Sequence, residues 1–436
     1  MKSAKNVHYS PSFFEELCRW TYSLLLIVVM PVVCLLLARK KSMCSVGATG
    51  RRFERFGIVA SPKKLNGYLF HCVSVGEVVA ASCLIKQIMN REPDAQITIT
   101  TSTATGSARV RDIYGDTVHH FYLPFDFSVS MAAMLTRIKP KAVMITEVEL
   151  WPNFIHECWL RGIPTFVVNA RMTERSARRY AKVSALFLPM LKKLTHVCAQ
   201  GQRDYTSYLS LGIGTDKVTL TNNIKFDQVS AHNVTADSYK GISRSEYPVI
   251  VGGSTHEPEE QVLIDAYTAL KATFQDLRLI LVPRHPERFD AVANLLCSNE
   301  IAFVRTSEVD IIPENVRVVL LDEMGKLNAA YSIATAAFVG GSIADRGGHN
   351  ALEPAAFSVP IMMGPHTYNN PVICEYLSAR GALSITPDVN AMVELLSQWL
   401  TSSDECERAG AEGRKVLDEN SGAVEKTLTC IMPYVA

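Results

Sequence analysis

The sequence predicts an α/β fold: two Rossmann-like parallel-sheet domains facing a cleft, preceded by an N-terminal membrane-anchoring helix. Three observations predict it. From residue 68 onward, short β-branched runs alternate with helical stretches, the pattern of βαβ units. A polar stretch rich in Asn, Ser, Thr and Lys interrupts the alternation between 228 and 245, after which a second series starts. Ahead of both, residues 20–38 form an uncharged run of 19 residues, close to the length a bilayer crossing demands. A chain of 436 residues is also too long for one ordinary core.

The first element is the apolar run. Pro31 sits in its middle, where a membrane helix tolerates a kink. Arg39, Lys40 and Lys41 follow directly and no small-x-small cleavage site appears, which argues against a removed signal peptide. Between 39 and 64 stand eight basic residues (Arg39, Lys40, Lys41, Arg51, Arg52, Arg55, Lys63, Lys64) against the single acid Glu54. Such a collar places the body of the protein on the cytoplasmic side and attracts anionic head groups. The expected organisation is 1–45 for anchor and collar, 46–227 for a first Rossmann-like domain and 246–436 for a second.

In the first domain the expected strands are 68–73, 96–101, 142–146, 164–169, 195–199 and 217–221. In the second they are 248–252, 277–282, 301–305, 316–321, 336–339 and 359–362. The last helical stretch, 404–416, is expected to pack back across the domain boundary. Composition narrows the function classes. With 44 basic and 43 acidic residues the chain is no global polyanion binder, so nucleic acid is not an expected partner. The 11 cysteines contain no C-x-x-C pair, which argues for free thiols and against a disulfide framework or zinc site.

Chemistry is expected at the strand ends, where open α/β sheets bind ligands. Glu77 follows the first strand through Ser74 and Gly76 and opens a helix. Its charge suits a helix N-terminus, which by itself needs no further role. Glu147 and Glu149 end another strand and, if extended, face one side. A hydroxyl-rich turn, 100–106, lies near the same edge, and Lys225 precedes the polar stretch. In the second domain neither G-x-G-x-x-G nor a P-loop occurs. Instead Gly252-Gly253-Ser254 and Gly340-Gly341-Ser342 each follow a strand, a setting that serves anion contact or close packing. His256-Glu257 lacks the second His of a zinc motif. Arg284 ends a strand with a group suited to bidentate phosphate contact. Gly347 and Gly348 lead into a helix bearing Asn350 and Glu353, three apart and hence on one face. A carboxylate there can accept both hydroxyls of a ribose while the helix start holds a phosphate.

Nine segments resemble, in order, the 3-deoxy-D-manno-octulosonic acid (Kdo) transferases of lipopolysaccharide synthesis. They are Val73-Ser74-Val75-Gly76-Glu77, Thr100-Thr101-Ser102-Thr103-Ala104-Thr105-Gly106, Glu147-Val148-Glu149-Leu150-Trp151-Pro152-Asn153, Asn169-Ala170-Arg171 and Lys225-Phe226-Asp227. Ser254-Thr255-His256-Glu257, Pro283-Arg284-His285-Pro286-Glu287-Arg288, Phe338-Val339-Gly340-Gly341-Ser342 and Gly347-Gly348-His349-Asn350 complete the set. The resemblance implies a GT-B glycosyltransferase with CMP-Kdo as donor and the lipid A precursor, lipid IVA, as acceptor. Domain 46–227 would hold the acceptor and 246–436 the donor. Glu77 is then the general base of an inverting transfer, and Glu147 and Lys225 stabilise the transition state. Pro283, Arg284, Met324, Gly325, Lys326, Asn350, Ala351, Leu352 and Glu353 match the CMP-binding segments. Two departures stand out: Lys326 replaces a Glu of many relatives, and Asn222-Asn223 replaces Gly-Ser or Gly-Asn. At 326 the resemblance therefore supports backbone contact.

A CMP leaving group carries one phosphate, which Arg284 and helix N-termini can stabilise without a metal or other cofactor, and no D-x-D motif stands at a strand end. The anchor would hold the enzyme at the anionic bacterial inner membrane with its catalytic domains cytoplasmic. Two other readings stay open: a lipid-directed GT-B transferase using a UDP-sugar, and a membrane-tethered binding protein without turnover.

Overall fold

The computed structural model describes residues 9–39, 51–230 and 238–435. They form two compact units, 1–228 with 422–436 and 229–421. The first unit is built on strands β1 (Tyr68–His71), β2 (Ile97–Thr101), β3 (His119–Tyr122), β4 (Ala142–Thr146), β5 (Thr165–Ala170), β6 (His196–Ala199) and β7 (Val218–Leu220). They pair in the order β3-β2-β1-β4-β5-β6-β7, all parallel. Every residue of β1 is buried, as expected where helices cover both faces. Alternation sorts the two faces. Leu69, Val143, Ile145 and Val167 join one core, whereas Tyr68, Phe70, Met144 and Phe166 join the other.

The second unit opens with a hairpin, β8 (Ser238–Tyr239) and β9 (Ile242–Ser243), inside the stretch expected as a linker. Tyr239 and Ile242 are core residues, so that part of the polar stretch is structured; residues 231–237 lie outside the described set. Strands β10 (Val249–Thr255), β11 (Arg278–Pro283), β12 (Phe303–Arg305), β13 (Val318–Leu320), β14 (Ala336–Val339), β15 (Ile361–Met363) and β16 (Leu383–Ile385) follow. Their order is β12-β13-β11-β10-β14-β15-β16, again all parallel. The strand order reverses at β1/β4 in one sheet and at β10/β14 in the other. Loops that leave these adjacent strands part to opposite sides and open a crevice. Besides this hairpin, two more strands escape the sequence reading: β3, which begins with two histidines, and the three-residue β16.

Two expectations about the ends need correction. Helix Ser403–Asn420 stays within the second unit; the helix that returns to the first is the next one, Ala423–Ile431. Leu428 and Ile431 enter its core, and Asp227 caps its start, accepting from the Gly422 and Val424 N–H groups at 2.6 and 2.7 Å. At the other end, the segment expected as an anchor forms the helix Phe13–Arg39 with Pro31 inside it. Among the described residues, however, no helix is long and apolar enough to cross a membrane. One face of this helix is polar and docked: Tyr22 donates to Asp126 at 3.0 Å, Arg19 donates to Asn153 at 3.0 Å, and Lys193 donates to Glu16 at 3.1 Å. Phe13, Phe14, Trp20, Leu24, Leu25 and Val28 on other sides are exposed. The side chains of 32–39 and all of 40–50, which include Arg39, Lys40 and Lys41 of the expected collar, lie outside the described residues.

The described part of that collar is partly internal. Arg51 and Arg55 stack on the Tyr122 ring at 4.6 and 4.9 Å, and Arg55 donates to the Leu123 and Ser102 carbonyls. These two guanidinium groups serve the fold of the first unit, not a lipid-facing surface.

Candidate active site

In the first unit the carboxyl ends of β1, β4, β5 and β7 supply the site. Glu77 lies in the first turn of the helix Val75–Arg91 and is almost fully buried, at 8 % exposure. Ser74 caps that helix, and cap and carboxylate hold each other as a capping box. Glu77 Oε1 accepts from the Ser74 hydroxyl and Oε2 from the Val73 N–H, both at 2.9 Å. Burial, with Glu147 and Glu149 nearby, outweighs these two donors and pushes the Glu77 carboxyl up to about 7. The hydroxyl-rich turn supports this arrangement from below: Thr103 caps the helix Ala104–Tyr114 and donates to the Val73 carbonyl at 2.9 Å.

Glu147 and Glu149 are not an extended pair. Glu147 has a left-handed backbone, φ 61°, and the chain turns after β4. Both carboxylates act on Glu77 electrostatically, so they share its neighbourhood by way of the turn. Asn169, φ 51°, sits at a bulge between β5 and β6 and accepts from the Ile224 N–H at 3.0 Å. Asn222 has φ 69°, a conformation in which Gly is the usual residue and Asn the commonest substitute; the departure at 222 keeps the turn. Asn223 then accepts from the Lys225 N–H at 3.0 Å and starts the helix Lys225–Ser230. Burial pushes the Lys225 ammonium down, opposed by Glu147, with Arg171 adding to the fall. Glu77, Glu147, Glu149, Arg171 and Lys225 thus form one mixed-charge cluster. Burial shifts three of its members, Glu77, Glu149 and Lys225, and such a grouping makes this a candidate functional site.

The second unit holds a cavity of about 410 Å³ at the ends of β10, β11 and β13. Of the nine expected nucleotide residues, Pro283, Arg284, Met324, Gly325, Asn350 and Glu353 line it. Lys326, Ala351 and Leu352 do not. Lys326 is exposed at the start of the helix Leu327–Ser332, and Ala351 and Leu352 are fully buried beneath the cavity. Asn350 donates to Glu353 at 3.4 Å, and burial pushes the Glu353 carboxyl up against the pull of Asn350 and Arg284. The helix expected after Gly347 and Gly348 is a single turn, Leu352–Ala355, too short to act as a phosphate-binding dipole. Asn328, on the helix Leu327–Ser332, also lines the cavity; nothing in the sequence singled it out.

Both Gly-Gly-Ser turns are closely packed, and Ser254 of the first also lines the cavity. A side chain at Gly253 would collide with the Tyr331 hydroxyl. At the second turn the backbone N–H groups of Gly341, Ser342, Ile343 and Ala344, with that of His256, all point at the Glu259 carboxylate, at 2.8–3.2 Å. This is an anion nest. Its anion is an internal carboxylate, so no phosphate is needed there.

Known proteins agree with this geometry. Residues 50–228 match the family model described as 3-Deoxy-D-manno-octulosonic-acid transferase (kdotransferase). A 3-deoxy-D-manno-octulosonic acid transferase of Haemophilus influenzae is 38% identical over 96% of this chain and 99% of its own length. One from Bordetella pertussis is 29% identical over 88% and 91%. Among solved structures, MurG of Acinetobacter baumannii (TM-score 0.55, 13% identity, 84% of this chain and 99% of that one) shares the fold. So does the UDP-GlcNAc 2-epimerase of Neisseria meningitidis (TM-score 0.57, 13% identity, 84% and 100%). Two parallel-sheet units of this type make the fold GT-B-like, and the transferase relatives make the chain a glycosyltransferase. Within that class the chain belongs to the 3-deoxy-D-manno-octulosonic acid transferase family.

Proposed function

We propose that the protein transfers Kdo from CMP-Kdo to the lipid A precursor, lipid IVA, with inversion at the anomeric carbon and Glu77 as general base. The observation that carries this reading is the Glu77 carboxyl, buried and pushed up to about 7. A base works best when its pKa lies near the working pH. In the single displacement, a primary hydroxyl of the acceptor attacks the anomeric carbon and its proton passes to Glu77. The bond from that carbon to the phosphate oxygen breaks, and CMP leaves with the electron pair. The Arg284 guanidinium suits the charge that develops on the leaving phosphate, and this scheme calls on no metal or cofactor. Lys225 and Glu147 sit within electrostatic reach of each other and would stabilise the transition state.

The exposed apolar side of the helix Phe13–Arg39 supports attachment to the inner membrane, where such an acceptor resides, with both catalytic units on the cytoplasmic side. The test is the variant Glu77→Gln, assayed with CMP-Kdo and lipid IVA by mass spectrometry for added Kdo. It retains CMP-Kdo binding and loses transfer; near-normal turnover removes Glu77 as the base. Inhibition of the wild-type enzyme by UDP but not CMP would instead favour a UDP-sugar donor.

A further inference from the structure

Beside the nucleotide cavity the second unit has another, of about 810 Å³, lined by His256, Glu257, Pro258, His285, Arg288, Arg346 and His349. His349 lines both. The second cavity lies over the β10/β14 switch point: His256 follows β10, and Arg346 and His349 belong to the loop after β14.

The loop is built to hold these side chains. It folds back on itself, with the Arg346 and Gly348 N–H groups donating to the Gly341 carbonyl at 3.0 and 2.8 Å and that of His349 to the Gly340 carbonyl at 3.0 Å. Gly341 has φ 72°, and a Cβ there would press on the His349 ring at 3.0 Å. The Glu259 nest fixes the same turn from beneath. Thus the His349 ring rests on Gly341 and stacks on His256, with the ring planes 15° apart and the two Nε2 atoms 2.9 Å from each other. His285 meets the other side of His256 edge-on at 5.4 Å.

The charge of this pocket is unbalanced. Arg288 is answered by Glu260 at 2.9 Å and by the exposed Glu257 at 3.6 Å. Arg346 makes no ion pair among the described residues, and three imidazoles stand around it. Burial, with His256, Arg284 and His285 close by, pushes His349 down to about 4, and burial lowers His256 as well. An arriving anion reverses that balance.

The donor supplies such an anion at a fixed place. An octulosonic acid carries its carboxylate on the same carbon that binds the leaving phosphate. The two anions are therefore geminal, and a phosphate beside Arg284 brings the carboxylate to the residue the cavities share. We propose that His256, His285, Arg346 and His349 form the subsite that receives the carboxylate of the transferred sugar, next to the nucleotide cavity. This rests on CMP-Kdo being the donor. It assigns recognition of the sugar acid, as distinct from the nucleotide, to the loop after β14.

The test compares Arg346→Gln and His256→Gln with the wild-type full-length protein, using CMP-Kdo, CMP and lipid IVA. The KM for CMP-Kdo rises roughly 10-fold or more, as expected for loss of a charge-assisted contact, while CMP affinity by calorimetry stays within about twofold. Retained CMP binding also shows that each variant is folded. Should His256→Gln fail to fold, His285→Gln, with its more exposed ring, takes its place. An unchanged KM for CMP-Kdo overturns the proposal. So does an equal loss of CMP affinity, which assigns the pocket to the nucleotide phosphate. A rise in the KM for lipid IVA alone also overturns it, because the anion is then a phosphate of the acceptor. If the wild-type protein transfers no Kdo at all, the donor assignment itself fails, a result distinct from all of these.

Discussion

Ser74 and Glu77 hold each other at the end of β1: the hydroxyl of Ser74 donates to Glu77 Oε1 at 2.9 Å and accepts from the Glu77 N–H at 3.4 Å. The same contact that caps the helix stabilises the ionised form of the carboxyl. It therefore opposes burial and the Glu147 and Glu149 charges, which favour the protonated form. With Glu77 as the proposed base, transfer needs the ionised form, so kcat/KM is expected to fall as pH drops through about 7. Ser74→Ala removes a donor to the anion, raises the Glu77 pKa and moves this acid limb up by roughly one pH unit. Glu147→Gln removes a repelling charge and moves it down. A pH–rate profile of the three proteins checks both directions, and a limb that stays put in both variants would mean that another group titrates.

Much of this site was legible in the sequence because strand-end chemistry is local. The run of buried β-branched residues locates β4, and a carboxylate after it is near the switch point wherever the side chain points. What the sequence does not carry is how the chain turns. Alternation put Glu147 and Glu149 on one side of a strand, yet Glu147 is left-handed and the strand has already ended. Likewise the glycines of the turn 340–342 left anion contact and close packing both open, because Glu259, far away in sequence, is invisible as the turn's occupant. Arg346, Asn328 and the docking of Asp227 onto the last helix depend on such distant pairings.

Lys225 is a partly buried cation of the first unit's cluster, in the field of Glu147. Lys225→Ala lowers kcat about 100-fold or more if the ammonium meets charge that forms only in the transition state. CMP affinity stays as it was, since the nucleotide cavity is formed wholly by residues of the second unit. Steady-state kinetics with calorimetry separates the two; a rise in KM with kcat intact would make Lys225 a binding residue.

Glu259 satisfies five backbone N–H groups with two carboxylate oxygens. Glu259→Gln turns one of those oxygens into an amide that faces donors. The loss is about 2–3 kcal/mol, and the melting temperature of the second unit falls by roughly 5–10 °C. Differential scanning calorimetry with and without CMP measures it. A melting temperature within a degree of the wild type would show that the nest is not held by this charge.

Asp227 joins the end of the first series to the chain terminus through the Gly422 and Val424 N–H groups. Asp227→Ala removes both acceptors from the start of the helix Ala423–Ile431, at a cost of about 1–2 kcal/mol. Faster amide exchange confined to 423–431, with β1 and β4 still protected, is the expected signature. Uniform protection would show that Leu428 and Ile431 alone hold the helix in place.

The helix Phe13–Arg39 divides its surface between a docked polar face and an exposed apolar one, and the two make different demands. Arg19 and Tyr22 fix the helix to Asn153 and Asp126, so under the proposed membrane attachment the helix and the first unit would move as one body. Leu24 and Val28 are four residues apart, and hence on one side, 62 % and 65 % exposed. Replacing both with Glu removes their burial in lipid, worth about 3 kcal/mol or roughly 100-fold in partitioning. The double variant therefore leaves anionic vesicles in a flotation assay while it still binds CMP. Because neither side chain is part of the docked face, folding is not at stake. Its transfer activity falls on acceptor embedded in vesicles and recovers on acceptor dispersed in detergent. If the variant floats with vesicles as the wild type does, attachment lies elsewhere than on this face of the helix.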